Sequence, residues 1–519
     1  MKIILKGHSY KYAVEQMLST VFPGTRPEYC ERAENGESLE VGLSRGNSYT
    51  TALCLFRREG ERYVGRAAVR TDRMTDSTET DRLCQFLIKN AIYRAVRKSG
   101  LQRPPWGALT GVRPGKLMAG LLREADEKQA AEVNAAADKG CREDTGAAGG
   151  VPTNVADREA VERFIKEYDV TPERARLCCE TSRKTLEAEA SLTEKDICLY
   201  VGIPFCPTRC AYCSFVSQSV EKSMKLIPPF LEALKQEIRI VGAAVEAAGL
   251  HPVSVYFGGG TPTTLSADQT DELCSALYAA FDLSGLREFT VEAGRPDTIT
   301  EEKLAVLRRY GVDRLSVNPQ TMRDSVLETI GRRHTAADVE RALALVRAAG
   351  GFSVNMDLIA GLPSDTVDGF AYTMERVLEL APENITVHTL SLKRGSALTM
   401  QGSEIPHAAE VEQMLKLAYE RLRKNEYAPY YLYRQKNMSG GFENTGWTRP
   451  GHDNLYNICM MEELCGILAM GGGGSTKLIR PGGGKNLRLT APKYPLEYIE
   501  QIEKTCGDKE RIGIFYANI

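Results

Sequence analysis

The 519-residue chain contains no apolar run approaching the ~18 residues of a membrane span. That excludes a membrane-crossing helix. An excess of one charge is also missing: 66 Lys and Arg stand against 68 Asp and Glu, a formal net charge of −2. This excludes a globally basic nucleic-acid binder, though not a local basic patch. No nucleic-acid partner and no membrane span are expected. The N-terminus MKIILKGHSYKYAVEQ interrupts its apolar stretch at once with Lys6. No signal-peptide core follows, and the chain is expected to be cytoplasmic. No HExxH or Ser-His-Asp pattern stands out, so nothing in the sequence signals a zinc hydrolase or an activated serine. The 14 cysteines are scattered through a large chain and do not form a disulfide framework.

Between Arg123 and Arg163 there is no Leu, Ile or aromatic residue. Such a stretch buries too little apolar surface to offset its chain entropy, and it reads as a flexible insertion with a frayed helix at EADEKQAAEVNAAA. Before it, MKIIL and YTTALCLFRR have strand character and DRLCQFLIKNAIYRAVRK helical spacing. WGALTGVRPGK follows with turn signals; its Arg113 and Lys116 either meet substrate carboxylates or simply decorate a turn. ERFIKEYDV and TPERARLCCETSRKTLEAEA read as helices.

From Asp196 onward, six short apolar runs alternate with helical patterns. The strand candidates are 197–203, 253–258, 288–293, 313–318, 352–359 and 385–390. Several of the intervening helices open on Ser or Thr followed by acidic residues, the N-cap pattern. Alternation of this kind predicts βαβ units with a parallel sheet, as an incomplete barrel or an open α/β sheet. Beyond Ser396, PHAAEVEQMLKLAYERLRKNEY predicts an amphipathic helix and YAPYYLYRQ a strand. NLYNICMMEELCGILAM predicts a helix, GGGGSTK and RPGGGK loops, and YPLEYIEQIEKT a last helix. The domain expectation is therefore 1–122, an insertion at 123–160, a helical connector at 161–195, a core at 196–400 and a C-terminal domain at 401–519.

Directly after the first core strand stands Cys206-Pro-Thr-Arg-Cys210-Ala-Tyr212-Cys213. Three thiolates on one loop can grip a single metal centre. A tetrahedral zinc site needs a fourth ligand, usually from a second CxxC or His pair, and no such pair exists. Cys178 and Cys179 are adjacent, and Cys459 and Cys465 are separated by five residues. A [4Fe–4S] cluster held by three cysteines keeps one iron open for another ligand. A zinc site borrowing a distant cysteine, or three unrelated structural cysteines, are the alternatives.

CPTRCAYC after LYVGIPF resembles the radical S-adenosylmethionine (SAM) superfamily. YVGIPFC and the later motifs resemble its oxygen-independent coproporphyrinogen III oxidase branch, which includes heme-chaperone relatives. WGALTGVRPGK and the NTGW…LYNI segment are similar to the HemZ-type coproporphyrinogen dehydrogenases of that branch. The resemblance implies an α/β fold: an incomplete (β/α)6 radical SAM barrel with an N-terminal α/β domain and a C-terminal α+β extension. It implies a [4Fe–4S] cluster on Cys206, Cys210 and Cys213, with SAM on the open iron. The implied reaction is oxidative decarboxylation of coproporphyrinogen III propionates to vinyls through a 5′-deoxyadenosyl radical. That chemistry needs a tetrapyrrole substrate, an electron donor and an electron acceptor, but no general base or covalent nucleophile. The other outcomes are a heme-binding chaperone or a radical SAM enzyme acting on another substrate.

The candidate residues fall at or near the C-terminal ends of the predicted strands, where parallel α/β folds place function. The resemblance assigns SAM contacts to Tyr200, Gly259, Gly260, Thr261, Glu292, Gln320, Arg332 and Asp357. Glycines let backbone approach a ligand closely, Glu292 suits ribose hydroxyls, and Arg332 suits a carboxylate. Tyr212, inside the cluster loop, is expected to pack on adenine. Plain structural roles are the alternatives: a turn, a core aromatic, a surface Arg. Asp357 lies in an apolar strand, where an acid needs a partner. Ser391 and Lys393 follow strand six; His334 and His388 are left as structural. Phe215 stands where the best-known oxidases carry a further Cys, and Phe there is usual in the heme-chaperone relatives. Glu292-Ala-Gly-Arg295-Pro replaces the commoner acidic-Asn-Pro pattern.

Overall fold

The computed structural model describes residues 1–32, 36–111, 113–137, 154–208, 210–213, 218–219, 223–391, 406–435, 439–480 and 486–517. They form two compact units, Met1–Cys179 and Glu180–Ile519.

In the first unit, alternating buried and exposed residues build a five-stranded sheet in the order Glu28–Tyr29, Lys2–Lys6, Ser38–Arg45, Tyr49–Arg58, Glu61–Arg70. The last three strands form an antiparallel meander. Two of them, Ser38–Arg45 and Glu61–Arg70, carry charge on the exposed face and give only a weak apolar signal in the sequence. Helix Ser77–Lys98 buries Leu83, Leu87, Ile88, Ile92 and Val96, most of them within the core this sheet shares, and Asp76 caps its first turn by accepting from Thr78 N and Glu79 N. The stretch read as an insertion is helical on both sides: residues up to 137 continue helix Pro114–Ala137, and those from 155 begin helix Val155–Tyr168. Ala, Glu and Lys favour helix without needing a core. The two helices are bridged by Lys128–Glu159 and Glu124–Arg163 ion pairs. Residues 138–153 lie outside the described residues.

The second unit is built on six parallel strands in sequence order: β1 (Asp196–Ile203), β2 (His251–Gly259), β3 (Glu288–Glu292), β4 (Arg314–Ser316), β5 (Ser353–Ala360) and β6 (Asn384–Thr389). The strands are nearly continuous in apolar burial, as expected when helices cover a parallel sheet. Helices α1 (Ile227–Ala247), α2 (Ala267–Ala280), α3 (Glu301–Arg309), α4 (Ala336–Ala349) and α5 (Val367–Leu380) connect them. The predicted caps are present on four: Ser266, Thr300, Thr335 and Thr366 accept from backbone N–H groups of the first turn, each worth about 1 kcal/mol. This is the order of parallel strands and connecting helices expected from the sequence.

The described C-terminal residues form no sheet of their own. Strands β7 (Ala428–Tyr433) and β8 (Asn444–Thr448) extend one edge of the barrel sheet beside β6. On the other edge β9 (Gly466–Gly471) pairs in parallel with β1, followed by antiparallel β10 (Ser475–Leu478) and β11 (Leu487–Thr490). The helix expected over NLYNICMMEELCGILAM is therefore two elements. Helix Leu455–Glu462 stops where Glu463 turns left-handed at φ 58°. Gly466–Gly471 is a fully buried strand, and a short apolar run cannot be told from buried helix by periodicity alone. GGGGSTK, expected as a loop, is mostly strand ends: Gly471 closes β9, Ser475–Lys477 open β10, and only Gly472–Gly474 turn between them; RPGGGK lies largely outside the described residues.

Helix Leu455–Glu462 sits beneath the strand starts. Glu288 at the base of β3 accepts from Leu455 N at 2.8 Å and Tyr456 N at 3.1 Å, holding a carboxylate at the positive end of the helix. Arg314 at the base of β4 reaches Glu288 at 3.8 Å and donates to His452 O at 2.7 Å. Asn384 at the base of β6 donates to the same carbonyl at 2.8 Å, and Ser353 at the base of β5 bonds His452 Nδ1 at 2.9 Å. This network closes the barrel floor.

Candidate functional site

The cluster loop leaves the top of β1. Cys206, Cys210 and Cys213 are half-buried, whereas most of the other described cysteines are fully buried. Cys206 lies on a two-residue parallel ladder, Phe205–Cys206 with Gln218–Ser219. The loop bends back through Cys213 N donating to Cys210 O at 3.2 Å, and Ala211 N ties it to Ile330 O at 3.0 Å. Two side chains already donate to the sulfurs: Thr261 Oγ1 to Cys206 Sγ and Arg295 Nη1 to Cys210 Sγ, each at 3.5 Å.

The Gly258–Thr261 turn at the top of β2 is pinned to this loop by Gly260 N to Ile203 O (2.8 Å) and Thr261 N to Phe205 O (2.7 Å). Gly259 has φ 106°, a region closed to side chains. A Cβ on Gly258 would lie 2.9 Å from the Tyr256 ring and 3.2 Å from Glu292 Oε1. The glycines are thus required by the close approach of β2 to the tops of β1 and β3.

Glu292, at the end of β3, accepts from Tyr256 Oη at 2.7 Å. Burial raises its carboxyl to about 7; the Tyr256 hydrogen bond and His388 oppose the shift, and Asp357 adds to it. Tyr200, Tyr256 and Tyr456 stack beside it, with Tyr256 and Tyr456 rings 4.4 Å apart and Tyr200 6.2 Å from each. Asp357, on β5, has its partners inside the protein: Asn355 Nδ2 at 2.8 Å and His388 Nε2 at 3.7 Å. Burial pushes its carboxyl up, but His388, Asn355 and Thr386 hold it below the usual range. His388 therefore serves the acid.

Gln320 is buried and held at φ 68°. It bonds strand β5 on both sides, Gln320 N to Asp357 O at 2.9 Å and Ile359 N to Gln320 O at 3.0 Å. A non-glycine residue in this conformation costs about 1–2 kcal/mol, and backbone bonds to β5 hold it there. Arg332 is buried too. Its Nη1 donates to Asn318 O at 2.8 Å and Gly294 O at 3.2 Å, and Nη2 to Tyr212 Oη at 3.0 Å. Tyr212 packs on Val326, Leu327, Ile330, Ile359, Leu362 and Leu390. Burial, then Arg332 and Arg295, lowers His334 to about 3, so it is neutral.

Arg295 was met in the sequence only as a departure from a pattern. In the structure it is buried, donates to Cys210 Sγ and to Thr208 O at 3.3 Å, and also bonds Thr208 Oγ1. The substitution itself was the signal. Tyr456, contributed by the floor helix, was missed because nothing in LYNI marks it for the barrel interior. Phe215, Lys393 and Arg209 lie outside the described residues. Arg113 and Lys116 belong to the first unit, at and just inside the start of helix Pro114–Ala137.

The donor set fits a cluster and a nucleoside-bearing cofactor. Three half-buried soft sulfurs share one loop, and two of them accept from a hydroxyl or a guanidinium donor. Among the described residues, the Nε atoms of Arg295 and Arg332 and the Oη of Tyr456 are buried without a hydrogen-bond partner. Groups of this kind are costly unless something pairs with them.

A protein with this barrel and this cysteine loop is a radical SAM protein, and the family model of the radical SAM superfamily matches residues 200–377. Such proteins use a [4Fe–4S] cluster and SAM. The oxygen-independent coproporphyrinogen-III oxidase-like protein HemZ of Bacillus subtilis is 37% identical over 409 residues, covering 78% of this chain and 76% of that protein. The chain belongs to this HemZ-like, tetrapyrrole-related family. The heme chaperone HemW of Lactococcus lactis is 30% identical over 53% of the chain and 69% of its own length. Among solved structures, the coproporphyrinogen III oxidase HemN of Escherichia coli, described as a radical SAM enzyme, aligns with TM-score 0.50 and 25% identity, covering 62% of this chain and 72% of that one. None of the described helices is long and apolar enough to cross a membrane.

Proposed function

We propose that the protein is a cytoplasmic coproporphyrinogen dehydrogenase, decarboxylating two propionates of coproporphyrinogen III to vinyls without oxygen. The observation that carries the reading is the extent of likeness to the oxidase-like relative. It reaches across 78% of the chain, well beyond the barrel segment common to the superfamily. Cys206, Cys210 and Cys213 would hold the cluster, and the Gly258–Thr261 turn, Tyr200, Glu292, Gln320 and Arg332 would hold SAM. When bound, the pair supplies a hydrogen-abstracting radical, the step no side chain here could perform.

The chain's own part is positional and electrostatic. Glu292, aligned by the Tyr256 hydroxyl, is placed to accept hydroxyl protons. Arg332 is fixed by two carbonyls and Tyr212, so its remaining N–H can meet a carboxylate without reorganising. Asp357 is already paired with His388 and Asn355, so it acts in this proposal by holding β5 and β6 together at the mouth. The tyrosine stack and the buried barrel wall exclude water from the reacting centre. An electron donor must reduce the cluster, and an acceptor must take the electron left when carbon dioxide departs.

Anaerobic reconstitution followed by reductant, SAM and coproporphyrinogen III tests this. Mass spectrometry should find 5′-deoxyadenosine together with porphyrins lighter by one or two formic-acid equivalents. Deoxyadenosine without lighter porphyrin would sink the substrate assignment. The heme-chaperone relatives and Phe215 favour one second reading, a heme carrier. Stoichiometric heme binding without decarboxylation would establish it instead.

A further inference from the structure

A second group of cysteines lies in the barrel floor. Cys198 is on β1, Cys459 is in helix Leu455–Glu462, and Cys465 immediately precedes β9. Their sulfurs all lie within 4.8 Å of one another, with Cys198 Sγ and Cys465 Sγ 3.6 Å apart. Among the described residues this is the one place where three His, Cys, Asp or Glu ligand atoms converge so closely. The three are far apart in sequence and belong to three elements, so no loop motif betrays them. All are buried, among Ala188, Val253, Leu455, Ile458 and Ile467.

A metal–sulfur bond of ~2.3 Å sets sulfurs ~3.8 Å apart around a tetrahedral ion and ~4.0 Å apart around a trigonal one. The Cys198–Cys465 separation of 3.6 Å is close to these values, and both other separations lie within 4.8 Å. Thiolates select soft ions, and a dry apolar shell suits low coordination. The surrounding charges are Asp196, felt by Cys465, and Arg287, felt by Cys459.

We propose that Cys198, Cys459 and Cys465 form a second metal site, separate from the cluster loop, which takes one soft d10 ion, copper(I) or zinc(II), and staples the floor helix to β1 and β9. Binding exchanges thiol protons for the ion and so releases them to solvent.

The test uses the full chain carrying Cys206→Ala, Cys210→Ala and Cys213→Ala, which removes iron uptake by the loop. Under anaerobic conditions it is loaded with zinc(II) or copper(I) against a chromophoric chelator. One equivalent retained per chain, with a rise in Tm, is expected, and the ion held more tightly identifies the occupant. Adding Cys459→Ala should weaken retention by at least about tenfold, since losing even a group that only supports a ligand typically costs about ten- to a hundredfold. Cadmium-113 resonance in the all-sulfur range, recorded on the chain with the triad intact, gives the same answer without relying on that variant. No retained ion while all three thiols remain alkylatable after unfolding would overturn the proposal. So would a Cys198–Cys465 disulfide in the anaerobic protein.

Discussion

The two ends of the barrel solve opposite problems. At the floor, polar and charged groups are satisfied by the chain itself: Glu288, Arg314, Asn384 and the His452 carbonyl bond one another and the floor helix. At the mouth, Arg295 and Arg332 keep buried atoms without partners among the described residues, Gln320 is strained, and three sulfurs are half-open. Polar groups completed internally contribute stability, while those left incomplete are held ready for a ligand. Strand polarity decides which end is which, since the connecting loops at strand C-termini are free to vary while the starts are packed.

The sharpest way to break the comparison is Cys210→Ala. Iron and sulfide content after reconstitution should fall to near zero, with the fold unchanged by circular dichroism. A floor substitution should do the reverse. Glu288→Ala leaves Arg314 and two helix N–H groups uncompensated and should cost about 3–5 kcal/mol in urea unfolding, with cluster loading retained by the protein that remains folded.

Glu292 supplies a pH test of the mouth. Its folded carboxyl titrates near 7 against 4.5 for the ordinary group. Across that window the folded chain keeps a proton that the unfolded chain has lost. Stability therefore falls as pH rises from about 4.5 to about 7, by roughly 3 kcal/mol if the full shift is realised. Glu292→Gln should flatten that slope, measured on the chain without cofactors at about pH 5 and about pH 8. An unchanged slope would mean that the acid ionises freely in the folded protein.

Arg295→Gln removes a cation beside Cys210 and should lower the cluster's midpoint potential by roughly tens of millivolts, read by EPR-monitored titration. The smallest effect is expected from Tyr256→Phe. It removes one hydrogen bond to Glu292 and should raise the carboxyl further, steepening the slope across the same window by about 1 kcal/mol or less.

Much of the barrel was legible because its signals are local. The six strand runs lie within two residues of the observed strands at both ends, and the Ser and Thr caps sit where the first helical turns need them. The cluster loop was legible for the same reason, since all three of its sulfurs lie within eight residues. GILAMG was misread because a buried strand and a buried helix share the same apolar composition. The helices flanking 138–153 were underestimated because Ala-rich segments need little core. Arg295 and Tyr456 reach the site from a strand end and from the floor, and neither position has a one-dimensional signature.

By itself, then, the sequence determined the alternation of strands and helices, the cysteine loop, and the glycine turn that lets backbone replace side chain beside it. Tertiary structure decided the rest. It put the C-terminal residues on both edges of the same sheet, paired Asp357 with His388, and turned Arg295 onto Cys210. It also gathered Cys198, Cys459 and Cys465 from 267 residues of separation. Periodicity and capping act over a few residues and can be read along the chain. Contacts between distant strands depend on which surfaces the whole fold brings together, and only packing specifies that.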